Sequence, residues 1–305
     1  MSNSILLLVD GMAMAYRAFY AIQELSARDG RPTNALFGFI RMLQQLEQRW
    51  VPACQLVVFD GGLPEERMVR LPTYKAQRPR MPEPLSAQLE PIEEYLGVAQ
   101  RAALRVLGQE ADDVMATVAT RAVERGMDVL IATGDKDMFQ LVDERVGMVP
   151  LSRSDERQGP AQVVEKTGVS PSLIVDWLAL VGDSVDNIPG LPGIGPKTAS
   201  RWLMQYGSLD NLLARLEEIG NERFKTALDS GRETLERNVE LLRLRRDLPI
   251  DLDWEALKIK PSDPSALRRF YEKMDLESLA KPLRSAGGAQ GMLDFGAKSA
   301  GAPHA

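Results

Sequence analysis

The chain has 305 residues, 44% of them apolar and 26% charged, with a formal net charge of −6. That is an ordinary globular balance, long enough for one large domain or two smaller ones, and it argues against a simple nucleic-acid coat. A single cysteine, Cys54, excludes a disulfide framework and a thiolate zinc site, a single histidine, His304, excludes most histidine-dependent catalysis, and no apolar run of about 18 residues suggests a membrane span, so a reducing, cytoplasmic setting is expected.

ILLLVD (5–10) reads as a buried strand rather than a signal peptide, because no basic region precedes it and its apolar run stops at Asp10. NALFGFIRMLQQLEQRW (34–50) places Leu36, Phe39, Ile40, Leu43 and Leu46 at helical spacing, with Asn34 as its cap. CQLVVFD (54–60) is a second buried strand, ending at Asp60. A basic segment punctuated by proline, PEERMVRLPTYKAQRPRMPEP (64–84), follows at once and sets Arg67, Arg70, Lys75, Arg78 and Arg80 around Tyr74. Such a run is commonly a solvated face, but this one leaves a strand beside a carboxylate. DDVMATVATRAVERG (112–126) is a helix that Gly126 stops, and Glu110, Asp112 and Asp113 crowd its start. DVLIATGD (128–135) is a third strand, ending at Asp135 with Asp137 close behind. Strands alternating with helices predict an α/β fold with a mostly parallel sheet covered on both faces, and ligands beyond the carboxyl ends where these aspartates fall. From about residue 170 the pattern is helical, over roughly 171–182, 196–206, 209–219, 221–229 and 232–245. The last 20 residues are rich in Gly and Ala and predict a disordered tail.

VGDSVDNIPGLPGIGPKTAS (181–200) adds Asp183 and Asp186, which makes nine acids from five segments of chain. Each has a structural explanation alone: an Asp after a strand caps a turn, and acids suit a first helical turn. Nine gathered together would repel severely without cations, and hard divalent ions, Mg²⁺ or Mn²⁺, are the natural partners. Two such ions about 3.5–4 Å apart form a clamp for phosphodiester hydrolysis. Setting the nine aside leaves a formal +3 on the rest of the chain, consistent with a phosphate-bearing substrate. In GLPGIGPKTA (190–199) Gly193 and Gly195 permit tight backbone, Pro196 suits a first helical turn, and the free N–H groups there can hold a phosphate with Lys197 and Thr198 in support. This is a helix–hairpin–helix signature, and contacts to backbone phosphates imply DNA binding without regard to sequence.

Taken in order, LLLVDGMAMAYRAFYAI, TNALFGF, VVFDG, YKAQRPRMP, EADDVMATVA, IATGDKDMFQLV and GDSVDNIPGLPGIGPKTA resemble the 5′-nuclease (flap endonuclease) family, over about residues 4–285. The resemblance is to the 5′–3′ exonuclease domain of bacterial DNA polymerase I and its free-standing relatives. It implies a PIN-like (resolvase-like) nuclease domain over 1–168 with a helical arch near 64–90. A helical domain follows over 169–285 with the hairpin motif at 188–200, and then a tail over 286–305. It implies that Asp60, Glu110 and Asp112 hold a first metal with Asp10 and Asp113 close by, partly through water. Asp135, Asp137, Asp183 and Asp186 would serve a second. Tyr74, with Arg70 nearby, would grip the 5′ strand, while Lys75 neutralises the scissile phosphate and Arg78 assists. The hairpin would bind duplex backbone, with a K⁺ ion on its carbonyls.

The implied activity is a 5′–3′ exonuclease and 5′-flap endonuclease of replication and repair. Its substrates would be 5′ flaps, nicks, 5′ ends and RNA primers, and its products a 5′-phosphate and a 3′-hydroxyl. A monomer located in the cytoplasm with the nucleoid is expected. Met12 and Ala13 stand where relatives often have small polar residues. The chain carries no polymerase or proofreading domain, and its short distinctive tail points to a free-standing nuclease. In that tail QGMLDF resembles the peptides that dock in the bacterial sliding clamp, through Gln290, Leu293 and Phe295. Two other readings stay open at the level of sequence: a non-catalytic branched-DNA-binding module, and a PIN-type ribonuclease.

Overall fold

The computed structural model describes residues 4–151 and 156–286. Strand β1 (Ile5–Asp10) runs straight into α1 (Gly11–Ala21), and Asp10 caps that helix by accepting from the Ala13 N–H at 2.8 Å. Then come α2 (Asn34–Trp50), β2 (Cys54–Phe59), α3 (Glu65–Arg70), α4 (Glu83–Ser86), α5 (Leu89–Val98), β3 (Ala103–Arg105), α6 (Ala111–Glu124), β4 (Asp128–Ala132) and β5 (Val146–Val149). The five strands are all parallel in the order β3-β2-β1-β4-β5. The order reverses between β1 and β4, and a crevice opens beyond the carboxyl ends of the strands at that reversal.

Alternate residues feed two cores. Leu6, Leu8, Leu56, Val58, Val129 and Ile131 face α6, while Leu7, Val9, Val57, Phe59, Leu130 and Ala132 face α1, α2 and α5. The end of α2 differs from expectation. Thr33, not Asn34, is its N-cap, and the Asn34 amide instead donates to the Phe19 and Ile22 carbonyls, tying off α1. The Leu36 N–H that Asn34 leaves is taken by Gln88 Oε1 at 3.0 Å. Strand β3 carries no extended apolar run and is made by pairing with β2, whereas β5, VGMV, is buried throughout at the edge beside β4.

The second half is α7 (Pro160–Thr167), α8 (Ile174–Val181), a two-residue-arm hairpin of β6 (Gly182–Asp183) and β7 (Ile188–Pro189), α9 (Pro196–Tyr206), α10 (Leu209–Ala214), α11 (Glu222–Ser230), α12 (Arg232–Leu242), α13 (Pro264–Lys273) and α14 (Glu277–Ala286). The helix expected over 209–219 breaks after Ala214 into a 3₁₀ turn, Leu216–Glu218, and that expected over 232–245 stops at Leu242.

This half has no core of its own. Leu178, Leu203, Leu212, Leu228 and Leu241 belong to the same apolar cluster as Leu6 and Leu8. Helices α13 and α14 cross to the opposite face, where Phe270, Tyr271, Met274 and Leu279 pack with Ile92 and Tyr95 of α5. The residues expected as one helical domain over 169–285 thus join two apolar clusters, α8 to α12 the one on the α6 side and α13 with α14 the one around α5. The tail residues Gln290, Leu293 and Phe295 lie outside the described residues.

Candidate active site

Three strand ends and two following segments build one cleft. β1 ends on Asp10, β2 is followed by Asp60, and β4 by Asp135. Asp112 comes from the first turn of α6, and Asp183 and Asp186 from the β6–β7 hairpin. These six acids, with Lys75 and Arg78, line a cleft of about 790 Å³. Local bonds aim them. Asp60 Oδ1 accepts the Ala111 N–H at 2.9 Å and so fixes the start of α6. Thr133 donates its hydroxyl to Asp10 Oδ2 at 2.9 Å, Asp135 accepts the Asp137 N–H at 2.9 Å, and Asp183 accepts the Val185 N–H at 2.9 Å.

The electrostatics are those of crowded, buried anions. Burial pushes the Asp10 carboxyl up to about 6, helped by the charges of Asp60 and Asp135, although its hydrogen bonds from Ala13 and Thr133 oppose this. Burial, then Asp135 and Asp10, hold Asp112 well above the usual carboxylate range. Burial, then Asp135 and Asp183, do the same for Asp137. Oxygens of Asp137, Asp183 and Asp186 lie within 4.8 Å of one another, and Asp137 Oδ1 is buried with no hydrogen-bond partner. An unpaired buried carboxylate oxygen beside two others suits a hard cation, with which a proton competes.

Glu110 lies under the cleft, 3% exposed, and Lys75, Arg67 and Tyr74 all bond to it. Asp113 departs from the group. One residue on from Asp112 is about 100° around a helix. It is thereby turned to the far side of α6, fully buried against Arg67 at 2.8 Å and the Arg245 N–H at 2.9 Å. It is not at the rim. Arg70 also faces away, pairing with Glu240 at 2.9 Å beside a second cavity of about 1080 Å³. Tyr74, expected to grip the substrate strand, is 4% exposed, and its hydroxyl lies 3.1 Å from Glu110 and 3.3 Å from Asp186. Arg78 pairs with Asp186 at 2.7 Å.

Sequence reasoning gave no role to Arg67 or Lys136 and did not assemble the cleft's less polar wall. Arg67 stands in the basic run, but nothing in the run marks it as the one arginine that folds inward. Lys136, between Asp135 and Asp137, lines the cleft with its ammonium 3.4 Å from Asp183. Met12, Tyr16, Met81 and Leu89 form a less polar wall of the same cleft.

The hairpin motif lies a few residues beyond. Gly182 and Gly190 cross so closely that a Cβ on Gly182 would sit 2.2 Å from the Gly190 nitrogen. Gly193 has φ +81, a left-handed conformation that favours glycine. Pro196 opens α9, Gly193, Gly195 and Lys197 are exposed, and Thr198 is half-buried.

Comparison with known proteins agrees with this layout. Residues 5–168 match the family model for the 5′–3′ exonuclease N-terminal resolvase-like domain, and residues 169–265 that for the 5′–3′ exonuclease C-terminal SAM fold. A 5′–3′ exonuclease of Aquifex aeolicus is 42% identical over 276 residues, 90% of this chain and 94% of the relative. The thermostable DNA polymerase I of Thermus filiformis is 39% identical over 282 residues, 92% of this chain but 33% of the polymerase, so the chain spans about a third of that relative. A phage T5 flap endonuclease, solved as a pseudo-enzyme-product complex with DNA and metal ions, shares the fold at a TM-score of 0.65 and 20% identity, over 93% of this chain and 100% of that one. With both family models matched in succession and a relative aligned along nearly its whole length, the chain belongs to the 5′–3′ exonuclease family of nucleases.

Proposed function

We propose that the chain is a divalent-metal-dependent 5′–3′ exodeoxyribonuclease and 5′-flap endonuclease that hydrolyses phosphodiester bonds with two Mg²⁺ or Mn²⁺ ions. The observation that carries this reading is the cleft at the sheet's reversal point, where six aspartates converge with Lys75 and Arg78 at the same opening. Asp10, Asp60, Asp112 and Glu110 are the residues for one ion, and Asp135, Asp137, Asp183 and Asp186 for the other. Bound there, the ions supply Lewis-acid activation of water and charge neutralisation at the leaving oxygen.

The chain's own residues do the rest. Lys75 and Arg78 offer cations to the scissile phosphate, and the less polar wall around Tyr16 and Met81 offers a surface for a nucleobase. Exposed backbone at Gly193 and Gly195, with Lys197, receives duplex phosphates and accommodates a K⁺ ion on its carbonyls. The substrates on this reading are DNA with 5′ flaps, nicks or 5′ ends, and RNA primers, which puts the protein with the nucleoid in the cytoplasm as a monomer. The tail sequence QGMLDF supports a contact with a sliding clamp.

The test is cleavage of labelled 5′-flap DNA, nicked duplex and single-stranded RNA, with Mg²⁺ and with EDTA. Cleavage of the two DNAs that EDTA stops supports the proposal, whereas RNA-only cleavage, or none, rejects it. Asp112→Asn is expected to abolish cleavage while leaving DNA binding intact, and normal turnover of that variant in saturating Mg²⁺ would overturn the metal assignment.

A further inference from the structure

Two of the carboxylates in the cleft are already spoken for. Glu110 Oε1 receives the Lys75 ammonium, and its Oε2 receives Arg67. Asp186 Oδ1 receives Arg78 at 2.7 Å, and its Oδ2 receives Lys75 at 3.4 Å and the Tyr74 hydroxyl at 3.3 Å. Every oxygen of these two groups thus has a cation against it, whereas Asp137 Oδ1 close by has no partner. The segment that brings these cations is docked by bonds of its own. The Lys75 N–H donates to the Asp186 carbonyl at 3.0 Å, Asn187 Nδ2 to the Thr73 carbonyl at 2.7 Å, and Gln77 Nε2 to the Ser184 carbonyl at 2.6 Å. Lys75 holds this pose at φ +53, a left-handed conformation that a residue with a side chain adopts at a cost.

We propose that Lys75 and Arg78 are exchangeable counter-ions: Glu110 and Asp186 hold them until each carboxylate takes up the divalent cation of its own site, and their release delivers them to the substrate phosphate. This rests on the metal reading above and adds an order of events to it. At each carboxylate a divalent cation displaces a monovalent one, the stronger charge replacing the weaker. The exchange is also selective. Arg67 reaches Glu110 from the far side of α6, where Asp113 and the Arg243 carbonyl, at 3.4 Å, also hold it, so it stays in place. Competition of this kind has a thermodynamic consequence: whatever stabilises the docked segment lowers the affinity for the cation by the same factor.

The experiment uses the full chain without DNA, titrated with Mn²⁺ alone. Acetic anhydride labelling traced by mass spectrometry reports each lysine's exposure. Lys75 is 8% exposed and starts protected, while Lys197 is exposed and serves as the internal standard. Labelling of Lys75 relative to Lys197 is expected to rise about tenfold at saturating Mn²⁺. In parallel, calorimetry on Lys75→Met is expected to show Mn²⁺ binding about five- to tenfold tighter than in the unsubstituted protein. If Mn²⁺ binds and Lys75 stays as protected as before, this inference is overturned while the metal reading stands. If no Mn²⁺ binds, both fall. The labelling arm needs no variant, so it decides the matter even if Lys75→Met fails to fold.

Discussion

Arg67 and Asp10 carry the two residue-scale consequences. Arg67 is a buried cation between Glu110 and Asp113, and those two anions, despite its burial, keep it firmly charged. Removing one member of such a set leaves its partners buried without compensation. Arg67→Met is therefore expected to destabilise the protein by about 3–5 kcal/mol, read by urea denaturation, with less loss in Arg67→Lys. Asp10 acts through protons. Its carboxyl ionises near 3.8 in the unfolded chain and at about 6 in the fold, so between those values the native state holds the extra proton. Stability of the metal-free protein then falls as pH rises across that window, on the order of 3 kcal/mol from this group alone. A bound cation opposes the loss. The Mg²⁺-induced rise in Tm over EDTA is expected to be larger at about pH 7.5 than at about pH 5, and an equal rise at both would refute the burial argument.

Among the elements, the helix start at Pro196 is the part that faces outward. Lys197 in its first turn is exposed, and the proposed function gives it a duplex phosphate. Lys197→Ala is expected to weaken duplex binding and reduce the slope of log affinity against log salt by about 1, with Mn²⁺ binding unchanged. The same scale shows why sequence reading worked unevenly. An apolar run ending on Asp announces β1, β2 and β4, since a buried parallel strand must be apolar on both faces. Strand β3, Ala103–Arg105, has only three residues, none of them fully buried, and exists because β2 offers it hydrogen bonds. Asn34 looks like a cap in one dimension, but the end of α1 lies nearer in space and claims its amide.

At the scale of the whole molecule, the two halves share their cores. The helices from α8 to α12 extend the apolar cluster on the α6 side of the sheet, and α13 with α14 packs on α5 on the other. Neither half can unfold without exposing the other's apolar face, so a single cooperative transition is expected, with tryptophan fluorescence and far-UV circular dichroism coincident in urea. Phe270 packs tilted against Tyr95 and edge-on to Tyr271, both at ring distances of 6.0 Å, and is 4% exposed. Phe270→Ala is expected to cost about 3–5 kcal/mol and to shift that one transition without splitting it.

The sequence alone determined the chemistry of the cleft. Which residue types stand at strand ends and helix starts is a local property, and it gathered nine acids from five segments, of which Asp10, Asp60, Asp112, Asp135, Asp183 and Asp186 line the cleft. Only the tertiary structure decided which charges meet. Asp112 and Asp113 are neighbours in sequence, yet one faces the cleft and the other Arg67, because a helix turns about 100° per residue. Tyr74, Lys75 and Arg78 read as an exposed grip for DNA. Tyr74 and Lys75 are buried on Glu110 and Asp186, from distant parts of the chain, while Arg78 pairs with Asp186 and stays exposed, contacts that only the fold can bring about.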